Sequence, residues 1–336
     1  MSFQLPIALY ALVNQAAQAP APREANLIFP VEASTVARGL DDVFYFILWV
    51  SIISFVIVIA AAALFVLRYH AREGHKEEKT ATHGLGLELT WTIIPTILVT
   101  IMFFAGFKGF LELKTAPQNA ETILVEAQMW KWSFTYANGA QSDELVVPLG
   151  RPVKLVMSSI DVLHSLYIPA FRVKQDVVPG RYTSLWFEPI LAGTYHLFCT
   201  EYCGTQHSSM ITSVRVVPEE QYQAELTELA NFIDRLPPLE AGERVFRMKG
   251  CATCHNLTAE TRAGGGPGLG GLAMNASRAF VDGSSGTVDE QYIRESILVP
   301  GAKVVSGYPN IMTPYQGRIT EDELRVLIEY LKSLTP

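Results

Sequence analysis

The sequence predicts a multidomain chain that consists of a transmembrane helical hairpin, an all-β Greek-key barrel and an all-α module. Two long apolar segments predict the hairpin, because each is long enough to cross a bilayer. Short runs of β-branched and aromatic residues, separated by Gly, Pro and Asn-Gly turns, predict the barrel. Apolar residues three or four positions apart predict the helices that follow. The 336 residues leave room for all three parts, and the 49% hydrophobic composition is high for a protein without membrane segments.

The first 22 residues are apolar and end in Ala-Gln-Ala-Pro-Ala-Pro, which is similar to the cleavage region of a signal peptide. A positively charged segment does not precede the apolar part. Two interpretations therefore stay open for residues 1–22: cleavage near Ala19, or an uncleaved extracytoplasmic tail.

The predicted transmembrane hairpin covers residues 40–110. Residues 44–67 contain no charge, and residues 85–107 contain only one, Glu88. Pro95 is expected to kink the second helix. The intervening loop is basic, so the positive-inside rule places it in the cytoplasm and both termini outside; its basic residues include Arg68, Arg72, Lys76 and Lys79.

Glu88 has two interpretations. It can mark the cytoplasmic end of the second helix, near the lipid headgroups, or it can serve as a proton acceptor, because intramembrane carboxylates commonly belong to proton relays.

The predicted β domain covers residues 118–218 and contains about eight short strands, which is typical of a Greek-key sandwich or barrel. Loops at one end of such a barrel collect functional residues. The predicted strands are 122–127, 130–136, 144–147, 152–158, 171–177, 182–187, 193–198 and 211–217.

The densest group of metal-ligating residues lies between positions 199 and 210. Its soft ligands suit copper: Cys199, Cys203, His207 and Met210. A mononuclear blue copper site needs only one cysteine, whereas two thiolates can bridge two metal ions. Because one histidine can cap only one copper, a binuclear site requires a second histidine. His164 is the best candidate, and we expect it in a turn before the strand-like segment 171–178.

Other interpretations of the Cys-x-x-x-Cys pair are a disulfide, half of a zinc site or two buried small residues. Zinc has no use for Met210, and a disulfide leaves both His207 and Met210 unexplained. The complete ligand set therefore favours copper.

The last part of the chain is predicted to be a linker helix, residues 219–238, followed by a module at residues 239–336. Cys251-Ala-Thr-Cys254-His255 is the pattern for covalent attachment of haem c, with His255 as an axial iron ligand. Zinc is the alternative, but the module has no second pair of thiols or histidines. Of the methionines that could be the sixth ligand, Met312 is preferred because it lies in a loop fixed by prolines.

These motifs resemble those of a known family. The run from Cys199 to Met210, together with His164, resembles the CuA site of subunit II of haem-copper cytochrome c oxidases, over residues of about 40–217. The last module resembles small class I cytochromes c. The whole chain resembles subunit II of a caa3-type oxidase, in which a cytochrome c domain follows the CuA domain. The resemblance implies a cupredoxin-like fold for the β domain.

The resemblance also implies roles for single residues. The two cysteines would bridge two coppers, the two histidines would cap them, and Met210 would be a weak ligand. Glu201 would contribute its backbone carbonyl to copper, and its carboxylate would reach a magnesium or manganese ion at the boundary with subunit I. Trp130 would be the point where electrons enter from cytochrome c. The segment 87–95 is similar to the second-helix motif of the family, in which Glu88 would be the point of proton entry.

The implied function is that of a terminal oxidase subunit. Electrons would pass from a cytochrome c or another respiratory donor to haem c, then to CuA, and then to subunit I. There O2 would be reduced to water with proton pumping. Subunit III and the lipid bilayer would be further partners. The chain would lie in the bacterial inner membrane, with both metal domains on the periplasmic side.

Three other functions compete with this one. The copper subunit of a CuA-containing nitric-oxide reductase could look similar, and Glu88 favours the oxidase. A nitrous-oxide reductase needs a large additional catalytic domain. The haem motif and its methionine argue against a copper-binding assembly module. Nucleic-acid binding is excluded, because the net charge is −7 and no basic stripe is present.

Overall fold

The computed structural model of the chain describes residues 21–74, 82–261, 265–272 and 274–334. The predicted signal peptide lies almost wholly outside the described residues, as do Lys76 and Lys79 of the predicted cytoplasmic loop.

Two long helices form the amino-terminal part, α1 (Ala37–Tyr69) and α2 (Leu85–Lys114). Both are long and apolar enough to cross a membrane, and none of their most apolar stretch is buried inside the protein. At 1.5 Å per residue, each helix is about 45 Å or more in length, which exceeds the hydrocarbon core of about 30 Å. The ends of the helices therefore extend beyond the membrane.

The two helix ends that face the β domain are bonded to it. The guanidinium of Arg172 donates to both carboxylate oxygens of Asp41 on α1, at 2.8 and 2.9 Å, and both side chains are nearly buried. The indole of Trp186 donates to the backbone carbonyl of Glu112 on α2 at 2.9 Å. These bonds attach the β domain to both helices of the hairpin.

The β domain consists of two five-stranded sheets that enclose one apolar core. The first sheet has the order β3-β2-β1-β5-β8 and the second has the order β4-β10-β9-β6-β7. The strands are β1 (Glu121–Gln128), β2 (Lys131–Thr135), β3 (Gln141–Ser142), β4 (Leu145–Pro148), β5 (Val153–Ser159), β6 (His164–Ile168), β7 (Val173–Val177), β8 (Thr183–Phe187), β9 (Gly193–Cys199) and β10 (Ile211–Val217).

Each of the eight predicted strands overlaps an observed strand, and two observed strands, β3 and β6, were not predicted. The expectation that His164 lies in a turn is wrong, because His164 is the first residue of β6. His164 and Ser165 read as polar loop residues in the sequence, yet both are fully buried. Their polar atoms form hydrogen bonds inside the domain, to Asp161 and Asp176 respectively. These bonds offset the free-energy cost of burying polar groups.

The rest of the chain is mostly helical and has a second apolar core of its own. Its helices are α3 (Glu219–Arg235), α4 (Pro238–Met248), α5 (Cys251–Cys254), α6 (Glu290–Leu298) and α7 (Glu321–Ser333). A two-stranded sheet of β11 (Ser277–Ala279) and β12 (Ser285–Thr287) was not predicted. The predicted layout of hairpin, β barrel and helical module is confirmed.

Helices α4 and α7 pack in direct contact at Gly242. A Cβ atom at this position would lie 2.2 Å from the backbone oxygen of Val326 and 2.5 Å from the Cβ of Tyr330. Only glycine permits this approach of the two helices. The packing holds the first and last helices of the module together, around the segment that contains Cys251 and Cys254.

Candidate metal centres

Strand pairing brings His164 to the loop that contains the two cysteines. Strand β6 pairs with β9, and Leu166 lies opposite Cys199. Strand β10 pairs with the other edge of β9, so the loop 200–210 returns to the same sheet. The backbone N–H of Cys199 donates to the carbonyl of Met210 at 3.1 Å, which closes the loop at its base.

The two thiols of this loop lie side by side. Their Sγ atoms are 3.8 Å apart, which is far longer than the bond of about 2.0 Å in a disulfide. Cys199 and Cys203 are both buried, at 7% and 3% exposure. The disulfide interpretation does not fit this geometry, whereas two sulfur atoms at this distance can share a metal ion.

Each thiol has one imidazole beside it. Nδ1 of His164 lies 3.9 Å from Sγ of Cys199, and Nδ1 of His207 lies 3.5 Å from Sγ of Cys203. Sδ of Met210 is 3.8 Å from Sγ of Cys203. The backbone oxygen of Glu201 is 3.3 Å from Sγ of Cys199. The structure thus brings together all six residues that the sequence predicted as copper ligands, with one histidine at each thiol.

Asp161 fixes the orientation of His164. Its carboxylate accepts a hydrogen bond from Nε2 of His164 at 2.8 Å, so the other ring nitrogen faces the thiols. Burial raises the pKa of Asp161, but the hydrogen bonds from His164 and from the backbone N–H groups of Met129 and Val162 lower it below its usual value. The carboxylate therefore stays charged, and it holds the ring as outer partners of metal-binding histidines do.

Burial and hydrogen bonds shift the pKa values of the two thiols and of His164. Burial raises the pKa of both cysteines, but the hydrogen bond from His164 brings that of Cys199 below its usual value. Burial and the nearby charge of Cys199 raise the pKa of Cys203. Burial lowers the pKa of His164, but the bonds to Asp161 and Cys199 raise it to about 9. Metal ligands must be deprotonated, so a metal ion at this cluster would release protons.

Trp130 lies against the loop of the two cysteines. Its indole N–H donates to the backbone oxygen of Cys203 at 3.1 Å. Gly204 has a φ of +114°, and a Cβ atom there would come within 3.1 Å of the Trp130 ring. The close approach of ring and loop therefore depends on glycine at this position.

A cavity in the helical module has the mostly apolar lining expected for an apolar group. It is lined by the three residues of the attachment motif, Cys251, Cys254 and His255, and by apolar residues of α4, α6 and α7. A Cβ atom at Gly266 would lie 2.3 Å from Cε1 of His255, so the ring fills the space above this glycine.

His255 is oriented for binding a metal through one nitrogen. Its Nδ1 lies 2.9 Å from the carbonyl oxygen of Pro267 and donates to it, which leaves Nε2 free. Burial lowers the pKa of His255, and this favours the neutral ring that a metal ion requires. The residues present therefore fit haem c.

Two methionines line this cavity among the described residues, Met312 and Met129. Met312 belongs to the helical module, as the sequence predicted, whereas Met129 comes from the β domain. Met248 and Met274 do not line the cavity; Met248 is buried in the helical core, and Met274 packs against that core.

Glu88 lies in the first turn of α2. Its carboxylate accepts from the backbone N–H of Gly84 at 3.1 Å and lies 3.6 Å from Nδ1 of His83. The side chain is 42% exposed. Glu88 thus lies at the end of the predicted span, and the structure does not bring it near the thiols.

Three family models match successive parts of the chain. Residues 22–108 match the transmembrane domain of cytochrome c oxidase subunit II, residues 138–217 match its periplasmic domain, and residues 239–335 match cytochrome c. The alternative cytochrome c oxidase subunit 2 of Bradyrhizobium diazoefficiens is 30% identical over 57% of this chain and 81% of its own length.

The chain belongs to the cytochrome c oxidase subunit 2 family.

Another relative matches nearly the whole of this subunit 2. Cytochrome c oxidase subunit 2 of Alkalihalophilus pseudofirmus is 27% identical over 86% of this chain and 85% of its own length. Among solved structures, the periplasmic domain of subunit II of cytochrome oxidase from Bradyrhizobium japonicum is 26% identical; the match covers 34% of this chain and 96% of that one, with a TM-score of 0.33.

As a cytochrome c oxidase subunit 2, the chain is part of a haem-copper terminal oxidase, which is an oxidoreductase. Its β domain implies CuA copper and its last domain implies haem c. The two apolar helices and the transmembrane model make it a membrane-anchored protein, and the family model describes the copper domain as periplasmic.

Asp161 and Pro267, which orient the candidate ligands His164 and His255, were not predicted from the sequence. Asp161 stands three positions before His164, and a carboxylate so close to a candidate ligand was a usable signal. The carbonyl of Pro267 had no signal in the sequence, because a backbone acceptor can be found only from the fold.

Proposed function

We propose that this subunit holds CuA and haem c in adjoining sites and relays electrons from a cytochrome c, or another respiratory donor, to subunit I of the oxidase. Bound there, the two groups would supply one-electron transfer. The residues that would hold copper are His164, Cys199, Glu201, Cys203, His207 and Met210, and those that would hold haem are Cys251, Cys254, His255 and Met312.

The chain's own residues would keep the copper ligands in place between redox states. Asp161 holds the ring of His164 through Nε2, and the closed base of the loop fixes Cys199 relative to Met210. Burial of both thiols excludes water. Ligands held this firmly change position little during electron transfer, which favours fast transfer.

One observation supports electron entry at Trp130. Trp130 is bonded to the backbone of Cys203, while its neighbour Met129 lines the haem cavity. One residue of this pair therefore contacts the copper loop, and the residue before it contacts the haem cavity. Electrons that leave the haem site would reach the copper loop through this dipeptide.

Replacement of Trp130 by phenylalanine tests this role. The change removes the indole N–H that bonds to Cys203 but keeps an aromatic ring. We expect the rate of electron transfer from haem c to copper to fall about 10- to 100-fold, as small displacements between reacting groups can do. Flash-induced reduction of the full-length subunit in the assembled oxidase would measure the rate.

Trp186→Phe is the matched control for Trp130→Phe. Its indole also donates to a backbone carbonyl, that of Glu112, on the membrane side of the same domain. An unchanged rate in Trp130→Phe, with the copper signal intact, would refute electron entry at this residue.

We also propose Glu88 as the point of proton entry. Its exposed carboxylate at the first turn of α2, close to His83, can exchange protons with the solution at the predicted cytoplasmic end. Glu88→Gln is expected to lower the turnover of the oxidase by about tenfold or more. Glu112→Gln, at the other end of α2, should leave it unchanged, and equal turnover in both variants would exclude the role.

A magnesium or manganese ion is proposed at the boundary with subunit I. The support is that Glu201 lies in the copper loop, where its backbone oxygen faces Cys199 while its side chain is partly exposed. In cells grown with manganese, the oxidase should show a manganese paramagnetic signal that Glu201→Gln weakens. A signal of wild-type strength in that variant would place the ion elsewhere.

The complete assembly would include subunits I and III in the bacterial inner membrane. The two extramembrane domains would then face the periplasm, where a cytochrome c donor can reach them.

A further inference from the structure

The cytochrome c domain contacts strands β1, β2 and β3 of the first β sheet. Gln128 Nε2 lies 3.5 Å from the hydroxyl of Tyr315, and Arg318 forms an ion pair with Glu126. At the copper loop, Nε2 of Gln206 donates to the backbone oxygen of Thr253, within the haem attachment motif, at 3.3 Å. The contacts extend from the sheet edge to the loop that contains the thiols.

Two lysines cross this interface in opposite directions. Lys131, at the start of β2, donates to the backbone oxygen of Met248 at 2.6 Å. Lys249, the next residue of the cytochrome c domain, donates to the side-chain oxygen of Gln141 on β3 at 2.7 Å. Each domain therefore contributes one ammonium group that donates a hydrogen bond to the other domain.

Lys249 is buried and Lys131 is half-buried. Lys249 is 5% exposed, and it also pairs with Glu323 at 3.0 Å. Burial lowers the pKa of Lys131 to about 8, so desolvation by itself opposes docking of the two domains. The hydrogen bonds offset this cost: bonds to charged groups are stronger than neutral ones, and separation of the domains would break both of them, so each lysine stabilises the docked arrangement.

The backbone just before the haem attachment motif leaves room for the side chain of Lys131. Gly250, directly before Cys251, has a φ of +74°, and a Cβ atom there would lie 2.2 Å from Cδ of Lys131. The aliphatic stem of Lys131 thus packs against Gly250, where a larger residue would clash with it. The contact lies between the attachment segment and the residue that follows Trp130 in sequence.

We propose that Lys131 and Lys249 are positioning residues that lock the cytochrome c domain in one orientation, with the haem cavity against Met129, the neighbour of Trp130. The proposal rests on the function proposed above and extends it. A locked domain keeps the haem site at a fixed distance from the copper loop. The domain then does not have to move on its linker before each electron transfer. An external donor then has to dock on the cytochrome c domain.

The test uses the full-length subunit in the assembled oxidase, with Lys131→Met, Gln141→Leu and the double variant. Gln141→Leu removes the partner of Lys249 in the β domain and leaves its contacts with Glu323 and the carbonyl of Arg318 in place. Lys154→Met, on β5 of the same sheet, is the matched control. Three quantities are measured: the distance distribution between the two metal sites by pulsed paramagnetic resonance, the viscosity dependence of electron transfer, and hydrogen exchange of residues 248–251.

In the wild type and in Lys154→Met we expect one narrow distance and a rate that does not depend on viscosity. In the double variant we expect a broad distance distribution, faster hydrogen exchange of residues 248–251, and a rate that is about tenfold or more lower and falls as viscosity rises. A double variant with the wild-type distance, exchange and rate would overturn the lock.

Failure of the lock and failure of the proposed function give different results. Absence of copper and haem signals in the wild type would refute the function, and hydrogen exchange would still report on the lock. Intact signals in every variant, with no change in the three quantities, would refute only the lock.

Discussion

Replacement of Cys203 by serine is expected to abolish the binuclear copper centre. The thiol of Cys203 lies at the middle of the cluster, 3.5 to 3.8 Å from ligand atoms of Cys199, His207 and Met210. A serine hydroxyl is a hard ligand that does not bridge copper ions as a thiolate does. Copper affinity should fall by at least about 100-fold, which exceeds the usual effect of losing an outer partner. Metal analysis and the paramagnetic resonance spectrum of the assembled oxidase would measure the loss.

Ser208→Ala is the control for Cys203→Ser, because Ser208 is an exposed residue of the same loop. It should keep both coppers and normal turnover. Retention of a signal from two equivalent copper nuclei in Cys203→Ser would contradict the assigned bridging role.

Replacement of Met312 by leucine is expected to remove the sixth ligand of haem iron. Leucine has a similar volume, so the cavity should stay filled. The haem should then change from low spin to high spin. Because methionine ligation raises the potential, the midpoint potential should fall by on the order of 100 mV. Optical spectra and a redox titration of the full-length subunit would measure both changes.

Two controls separate Met312 from the other methionines near the cavity. Met129→Leu tests the methionine that reaches the cavity from the copper domain, and Met274→Leu tests one that packs outside it. Both variants should stay low spin. A low-spin haem in Met312→Leu, together with a high-spin haem in Met129→Leu, would show that the ligand comes from the other domain.

The architecture could be predicted because its signals are local. Uncharged apolar segments, alternating strands and the Cys-x-x-Cys-His motif each depend on a few neighbouring residues. The candidate copper ligands could be selected because five of the six lie within one run of twelve residues, 199–210. His164 was selected by its chemistry, although the sequence placed it in a turn instead of a strand.

The parts that could not be predicted depend on contacts between distant segments. The burial of His164 and Ser165 is stable only because Asp161 and Asp176 lie beside them in the fold. Lys131 and Lys249 are 118 positions apart, and nothing in the sequence sets them apart from surface lysines. Their role emerges only from the fold, which places the cytochrome c domain against the first β sheet.

We propose that one chain holds a pair of coppers and a haem c at adjoining sites. The paramagnetic resonance spectrum of the copper-loaded, full-length subunit, together with its optical haem spectrum, tests this most directly. We expect hyperfine splitting from two equivalent copper nuclei beside a reducible haem c band. Splitting from a single copper nucleus would contradict the proposal, because the second thiol and the second histidine would then have no metal to bind.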